Sequence, residues 1–146
     1  MAVRVQCEDF DLGFEMAVLR AESTNIGALV SFSGLVRDDM GDLQTLELEH
    51  YPSMTTKALA EIEAEACRRW NLNATLIIHR YGSLKPGEQI MMVAVASRHR
   101  KVAFEAADFL MDFLKSRAPF WKKETGIGGA EWVDAKEDDE AFLKRW

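Results

Sequence analysis

A long apolar run cut short by a proline constrains this chain more than any other feature. Val102, Phe104, Ala106, Phe109, Leu110, Phe113 and Leu114 recur at helical spacing and predict a helix from about Arg100 to Ser116 with a wide apolar face. Such a face has to be covered by a second layer of structure. Pro119 lacks a backbone donor and biases the residue before it toward extended backbone, so the helix stops short of it and Phe120 to Glu124 is predicted extended. Across this break Lys115, Arg117, Lys122 and Lys123 put four cations within nine residues, around Pro119-Phe120-Trp121. The whole chain has a formal net charge of -6. Its basic island therefore either closes a helix, where cations suit the C-terminal dipole, or faces an anion.

The remaining elements fall around this run. Residues 2 to 7 alternate as a short strand, and Asp11 is the N-cap of a helix over Leu12 to Ala21. Ile26 to Arg37 and Leu43 to Tyr51 read as strands joined by the turn Asp38 to Asp42, and a hairpin between them is expected. Pro52-Ser53 ends the second strand. A helix over Met54 to Trp70 then buries Leu59, Ile62, Ala66 and Trp70 and leaves Glu61, Glu63, Glu65, Arg68 and Arg69 mostly outside. Ala74 to Tyr81 and Gln89 to Ala96 are largely buried strands, connected through the turn signals Gly82, Pro86 and Gly87. A turn at Gly126 to Gly129, a short strand near Glu131 to Val133 and an acidic run (Asp134, Glu137, Asp138, Asp139, Glu140) complete the chain. Trp132 and Trp146 bracket that run, which is expected to dock. The order predicts an α+β fold in one domain over residues 1–146, a mostly antiparallel sheet with helices packed on one face.

Composition narrows the function classes. No apolar run is long enough to span a bilayer and no signal-peptide pattern opens the chain, so a cytoplasmic protein with no membrane partner is expected. Cys7 and Cys67 form no CxxC and the three histidines lie at no ligand spacing to them. Neither a metal site, a resident cofactor nor a disulfide framework is expected. The acidic balance argues against nucleic acid. Arg37, the cluster Arg98-His99-Arg100-Lys101 and the lysine island fall at the ends of elements, where they could converge on a phosphate or carboxylate or remain solvated faces. His50 and His79 are read as neutral structural imidazoles. Ser31, Ser33 and Ser97 lack a nucleophile-elbow context, and no Lys-Ser pair follows Gly126-Ile127-Gly128-Gly129.

Five blocks carry a family resemblance: Phe32-Ser-Gly-Leu-Val-Arg37, Leu48-Glu-His-Tyr51, Ile78-His-Arg-Tyr-Gly82, Ser97-Arg-His-Arg100 and Leu114-Lys-Ser-Arg-Ala-Pro-Phe-Trp-Lys-Lys-Glu124. In this order, nearly end to end, the chain resembles the large, catalytic subunit of molybdopterin synthase, the MoaE family. The resemblance implies an α/β hammerhead-like fold with a small additional antiparallel sheet. It implies a sulfurtransferase of molybdenum cofactor biosynthesis that converts cyclic pyranopterin monophosphate to molybdopterin. Sulfur would arrive as a thiocarboxylate on the C-terminal Gly-Gly of a small ubiquitin-like subunit, in a heterotetramer built on a homodimer of the large one. Carried over by motif, Lys115 and Lys122 are the catalytic pair, and Leu35, Val36, Arg37, His99, Arg100, Lys123 and Glu124 line the substrate site. The acidic Asp38 to Asp42 turn departs from the asparagine-containing loop of that family. Composition and periodicity leave a second class open, a non-enzymatic dimeric module that binds an anionic metabolite or a partner's C-terminal tail.

Overall fold

The central strands carry apolar side chains on both faces, and that decides the layering. The computed structural model describes residues 2–133 and 137–146, with residues 137 and 138 described by backbone alone. Ala74–Arg80 (β4) and Gln89–Ser97 (β6) are antiparallel neighbours, buried almost throughout. Ala2–Gln6 (β1) joins β4 in parallel and Ala28–Leu35 (β2) joins β6 antiparallel, so the sheet runs β1-β4-β6-β2. On one face Ile77, Met91, Val93 and Val95 meet Leu59, Ile62 and Ala66 of Pro52–Arg69 (α2) and Ala103, Ala106, Phe109 and Leu110 of Arg100–Arg117 (α3). On the other, Leu76, Ile78, Met92 and Ala94 meet Leu12, Met16 and Leu19 of Leu12–Arg20 (α1). The two long helices share one face, and the first helix covers the opposite one. Its cap is the expected one, with the Asp11 carboxylate accepting from the Phe14 N–H at 2.9 Å.

A second, antiparallel sheet runs β5-β3-β7-β8, made of Gly82–Leu84 (β5), Leu43–His50 (β3), Phe120–Gly126 (β7) and Gly129–Val133 (β8). Val36, Leu46, Leu48 and Leu84 form its small core. The expected hairpin of Ile26–Arg37 with Leu43–Tyr51 does not form, because β2 and β3 belong to different sheets. At Val36 the chain leaves the first sheet: after a register shift at Gly34/Leu35, Val36 exchanges backbone hydrogen bonds with the β5–β6 turn, to the Glu88 carbonyl at 2.9 Å and from the Gly87 N–H at 2.8 Å. Its side chain then enters the second core instead of pairing back on β2.

Three smaller expectations also change. Pro52 opens α2 at its first turn, where a missing N–H costs nothing. Glu63, expected outside, is buried, and its carboxylate accepts from the Thr75 hydroxyl at 2.6 Å. Phe104 stays 61% exposed, because the buried stripe of α3 runs through Ala103, Ala106, Ala107, Leu110 and Leu114, beside it. The acidic C-terminal segment docks from Asp139 onward; Asp134 and the side chains of Glu137 and Asp138 lie outside the described residues. Glu137–Leu143 (α4) lies on α3, with the Ser116 hydroxyl donating to the Asp139 carbonyl at 2.7 Å. Arg145 reaches Asp108 and Asp112, each at 2.7 Å, and the Trp146 ring meets Trp70 and Phe109 edge-on.

Candidate active site

The site forms where α3 gives way to β7. Leu114 is held in the core, so the next residue, Lys115, emerges at the helix end. Ala118 adopts extended backbone ahead of Pro119, and β7 then returns along β3 with Phe120 opposite His50 and Lys122 opposite Leu48. Alternation puts Phe120 and Lys122 on one face of β7. Lys115 and Lys122 line a single cavity of about 120 Å³, walled by Phe32, Gly34 and Leu35 of β2, Met91 of β6, Met111 and Leu114 of α3, and Phe120. Largely apolar walls strengthen the pull of both lysines on an anion, since fewer water dipoles screen them. Neither Cys7 nor Cys67 lines this cavity.

The other residues marked by sequence separate into groups. Val36 is buried in the second core. Arg37, exposed and 3.1 Å from the Asp39 carboxylate, shares with Glu124 a second cavity of about 310 Å³ whose rim also carries Asp38, Asp42 and Glu131. Lys123 faces the other side of β7, its Nζ 5.7 Å from the centre of the Trp132 ring, a cation–π distance. His99 and Arg100 sit at the start of α3, fifteen residues before Lys115, which at 1.5 Å per residue is roughly 22 Å along the axis. One protomer does not bring them to the lysine pair.

Sequence reasoning named only Leu35, Lys115 and Lys122 among the residues that line this cavity, and two of those it missed stand out. His79, read as a structural imidazole, lines the lysine cavity and stacks on Phe120 with ring centres 3.7 Å apart and planes at 15°. Its Nδ1 lies 2.8 Å from the Arg80 carbonyl oxygen. Burial first, then the positive charges of Lys122 and Lys115, outweigh that bond and hold its pKa down at about 4, so the expected neutral state stands. His50 lies on the far side of Phe120, ring centres 5.7 Å apart, and burial lowers its pKa as well. Phe32, 43% exposed on the outer strand β2, is the other. The signal for both was present, because each lies inside a block that carries the resemblance.

Two lysines converge on one narrow, largely apolar cavity, an arrangement able to hold an anionic group beside amines that can carry protons. A family model described as MoaE protein matches residues 5–117, and the chain belongs to that family. Lys115 falls inside the matched span; Lys122 lies just beyond it. The chain is 57% identical over 146 residues to the molybdopterin synthase catalytic subunit of Cereibacter sphaeroides, covering 100% of both chains. Its structure resembles the molybdopterin biosynthesis MoaE protein from Burkholderia ambifaria, at TM-score 0.87 and 53% identity, covering 100% of this chain and 98% of that one. It also resembles molybdopterin synthase from Staphylococcus aureus, at TM-score 0.83 and 32% identity, over 90% of this chain and 96% of that one.

Proposed function

We propose that this chain, as one catalytic domain over residues 1–146, is the catalytic subunit of a molybdopterin synthase, working in the cytoplasm. It converts cyclic pyranopterin monophosphate to molybdopterin with sulfur from the C-terminal thiocarboxylate of a small ubiquitin-like subunit. The carrying observation is the shared cavity of Lys115 and Lys122 with no cysteine in its wall. A sulfur transfer without a local thiol needs the sulfur brought in by a partner, and a narrow cavity with two amines suits an extended tail ending in an anionic thiocarboxylate. The Gly-Gly of that tail brings no side chain into a cavity of about 120 Å³.

In each transfer the tail's sulfur bonds to a substrate carbon while a carbon–oxygen bond at that carbon breaks, the oxygen leaving as water after protonation or remaining on the ring-opened phosphate. Water then cleaves the acyl–sulfur bond, leaving a carboxylate on the small subunit and sulfur on the product. Lys115 and Lys122 hold the carboxyl oxygens and move protons as charge develops. Arg37, His99, Arg100, Lys123 and Glu124 hold the pterin and its phosphate; Leu35 lines the lysine cavity, and Val36, buried in the second core, holds the backbone that presents Arg37. Because His99 and Arg100 lie far from the lysine pair in one protomer, the reading includes a homodimer in which each protomer's α3 start serves the other's cavity. Mass spectrometry of a reaction containing this chain, cyclic pyranopterin monophosphate and a thiocarboxylated small subunit tests it. Product carrying two added sulfurs is expected; substrate and tail that bind but return unchanged would leave only the binding module.

A further inference from the structure

The last turns of α3 carry Lys115 on one side and a row of polar side chains on the next. Asp108, Asp112 and Ser116 recur at four-residue spacing and so lie along one stripe, beside the side on which Met111, Leu114 and Lys115 face the cavity. Residues 139–146 are tied to each member of that stripe. The carboxylate of Asp112, a residue only 7% exposed, accepts from the Arg145 guanidinium at 2.7 and 2.9 Å and from the Trp146 indole N–H at 2.5 Å. Arg145 also reaches Asp108, and the Ser116 hydroxyl donates to the Asp139 carbonyl. Arg117 pairs with Glu140 at 2.5 Å. Ser116 and Arg117 are the two residues that follow Lys115.

These ties are not equal. The pairs Arg117–Glu140 and Arg145–Asp108 are half-exposed on both sides, and pairs of that kind contribute little. Asp112 differs, because a carboxylate taken out of water is costly unless it is paired, and Arg145 and Trp146 supply its hydrogen bonds. Trp146 is itself anchored, its ring edge-on to Trp70 and Phe109 and its main-chain oxygen accepting from Arg69 at 3.0 Å. Asp112 thus joins α3, less than one turn before Lys115, to a segment fastened at the end of α2.

We infer that Asp112 is a positioning residue and residues 139–146 a strap: through Asp112 they hold the end of α3 in the rotation that puts Lys115 in the cavity beside Lys122. The inference deepens the sulfur-transfer reading and rests on it for what Lys115 does there. A helix end is prone to fray, since its last carbonyls have no partner within the helix, and this end carries a reacting amine. A strap with only a packing role would add to overall stability and leave the rate at saturation untouched.

Arg145→Ala combined with Trp146→Phe withdraws the donors from Asp112 and keeps an aromatic ring against Phe109. Hydrogen exchange, read by mass spectrometry on the peptide spanning residues 112–118 without substrate or partner, should quicken about tenfold or more while β4 and β6 keep wild-type protection. With a thiocarboxylated small subunit and cyclic pyranopterin monophosphate, the single-turnover rate at saturation should fall about tenfold or more, with partner affinity retained. Arg145→Ala alone leaves the indole on Asp112 and should give a smaller change of the same kind, so it carries the test if the double variant does not fold. Arg68→Ala, which breaks an exposed pair on α2, should change neither reading. Unchanged exchange at residues 112–118 in a folded strap variant overturns the inference, and so does an unchanged rate or one that falls only in step with partner affinity and thermal midpoint. If exchange quickens while even the wild-type chain makes no product, the strap stands and the sulfur-transfer reading is what falls.

Discussion

At position 115 the chemistry separates lysine from arginine. Both reach the cavity with a positive charge, but only lysine can give up its proton at workable pH. Lys115→Arg should therefore lose about a hundredfold or more in single-turnover rate, nearly as much as Lys115→Ala, with partner binding kept in both. Near-wild-type turnover in Lys115→Arg would reduce Lys115 to a carboxylate clamp. His79 adds a pH prediction. Its folded pKa, about 4, is depressed below the ordinary 6.5, so its contribution to stability is complete above pH 6.5 and is lost as pH falls through 4. The whole window is worth of the order of 3 kcal/mol. Urea unfolding at pH 7 and pH 4.5 should show a smaller acid loss in His79→Gln than in the wild type; equal losses would contradict the buried neutral ring. Spacing around Pro119 singled out the lysines, and the apolar run around His79 marked it as neutral. Neither could place His79 in the cavity, because that depends on Phe120, forty residues away, folding back onto it.

Element boundaries were largely legible where local chemistry sets them. Asp11 caps α1, Pro119 separates α3 from β7, and the apolar periods of α2 and α3 mark their buried faces. Pairing was legible for β4 with β6, which neighbour each other in sequence across a turn. It failed for β2 and β3, whose alternation fits a hairpin equally well. What separates them is the anchoring of Val36 to Gly87 and Glu88, an interaction between segments fifty residues apart that no local pattern encodes. The three-residue β5 was read as turn because it is too short to show a period. The junction of β3 and β7 offers a sharp test. At Gly126 an added Cβ would lie 2.7 Å from the Asp42 carbonyl oxygen, a backbone atom that cannot swing away, whereas at Gly128 it would meet nothing within 4 Å. Gly126→Ala should cost about 1–3 kcal/mol in chemical unfolding. Gly128→Ala should be close to neutral, and equal effects at the two glycines would contradict this packing.

For the whole molecule, the proposed assembly predicts that light scattering resolves a homodimer alone and a heterotetramer when a small subunit ending in Gly-Gly is added. A monomer indifferent to every such tail would contradict both. The split of neighbouring strands between two sheets carries a further consequence, for how the chain reaches its native state. Ala2 pairs with Leu76, Ala28 with Ser97 and Leu43 with Gly126, so none of the first three strands has its partner nearby in the chain. β1 must close a loop of some seventy residues, β2 one of more than fifty (Leu35 with Gln89) and β3 one of more than thirty to reach β5 (Leu48 with Gly82) before their hydrogen bonds repay the lost entropy, which places refolding in the millisecond-to-second range instead of microseconds. The pair β4–β6 can close early, and the rest of the first sheet has to assemble on it. Until it does, β1, β2 and β3 are open strand edges, and during synthesis they wait for sequence not yet made. Yield at high expression should therefore be limited by aggregation of these early strands before it is limited by the stability of the finished fold.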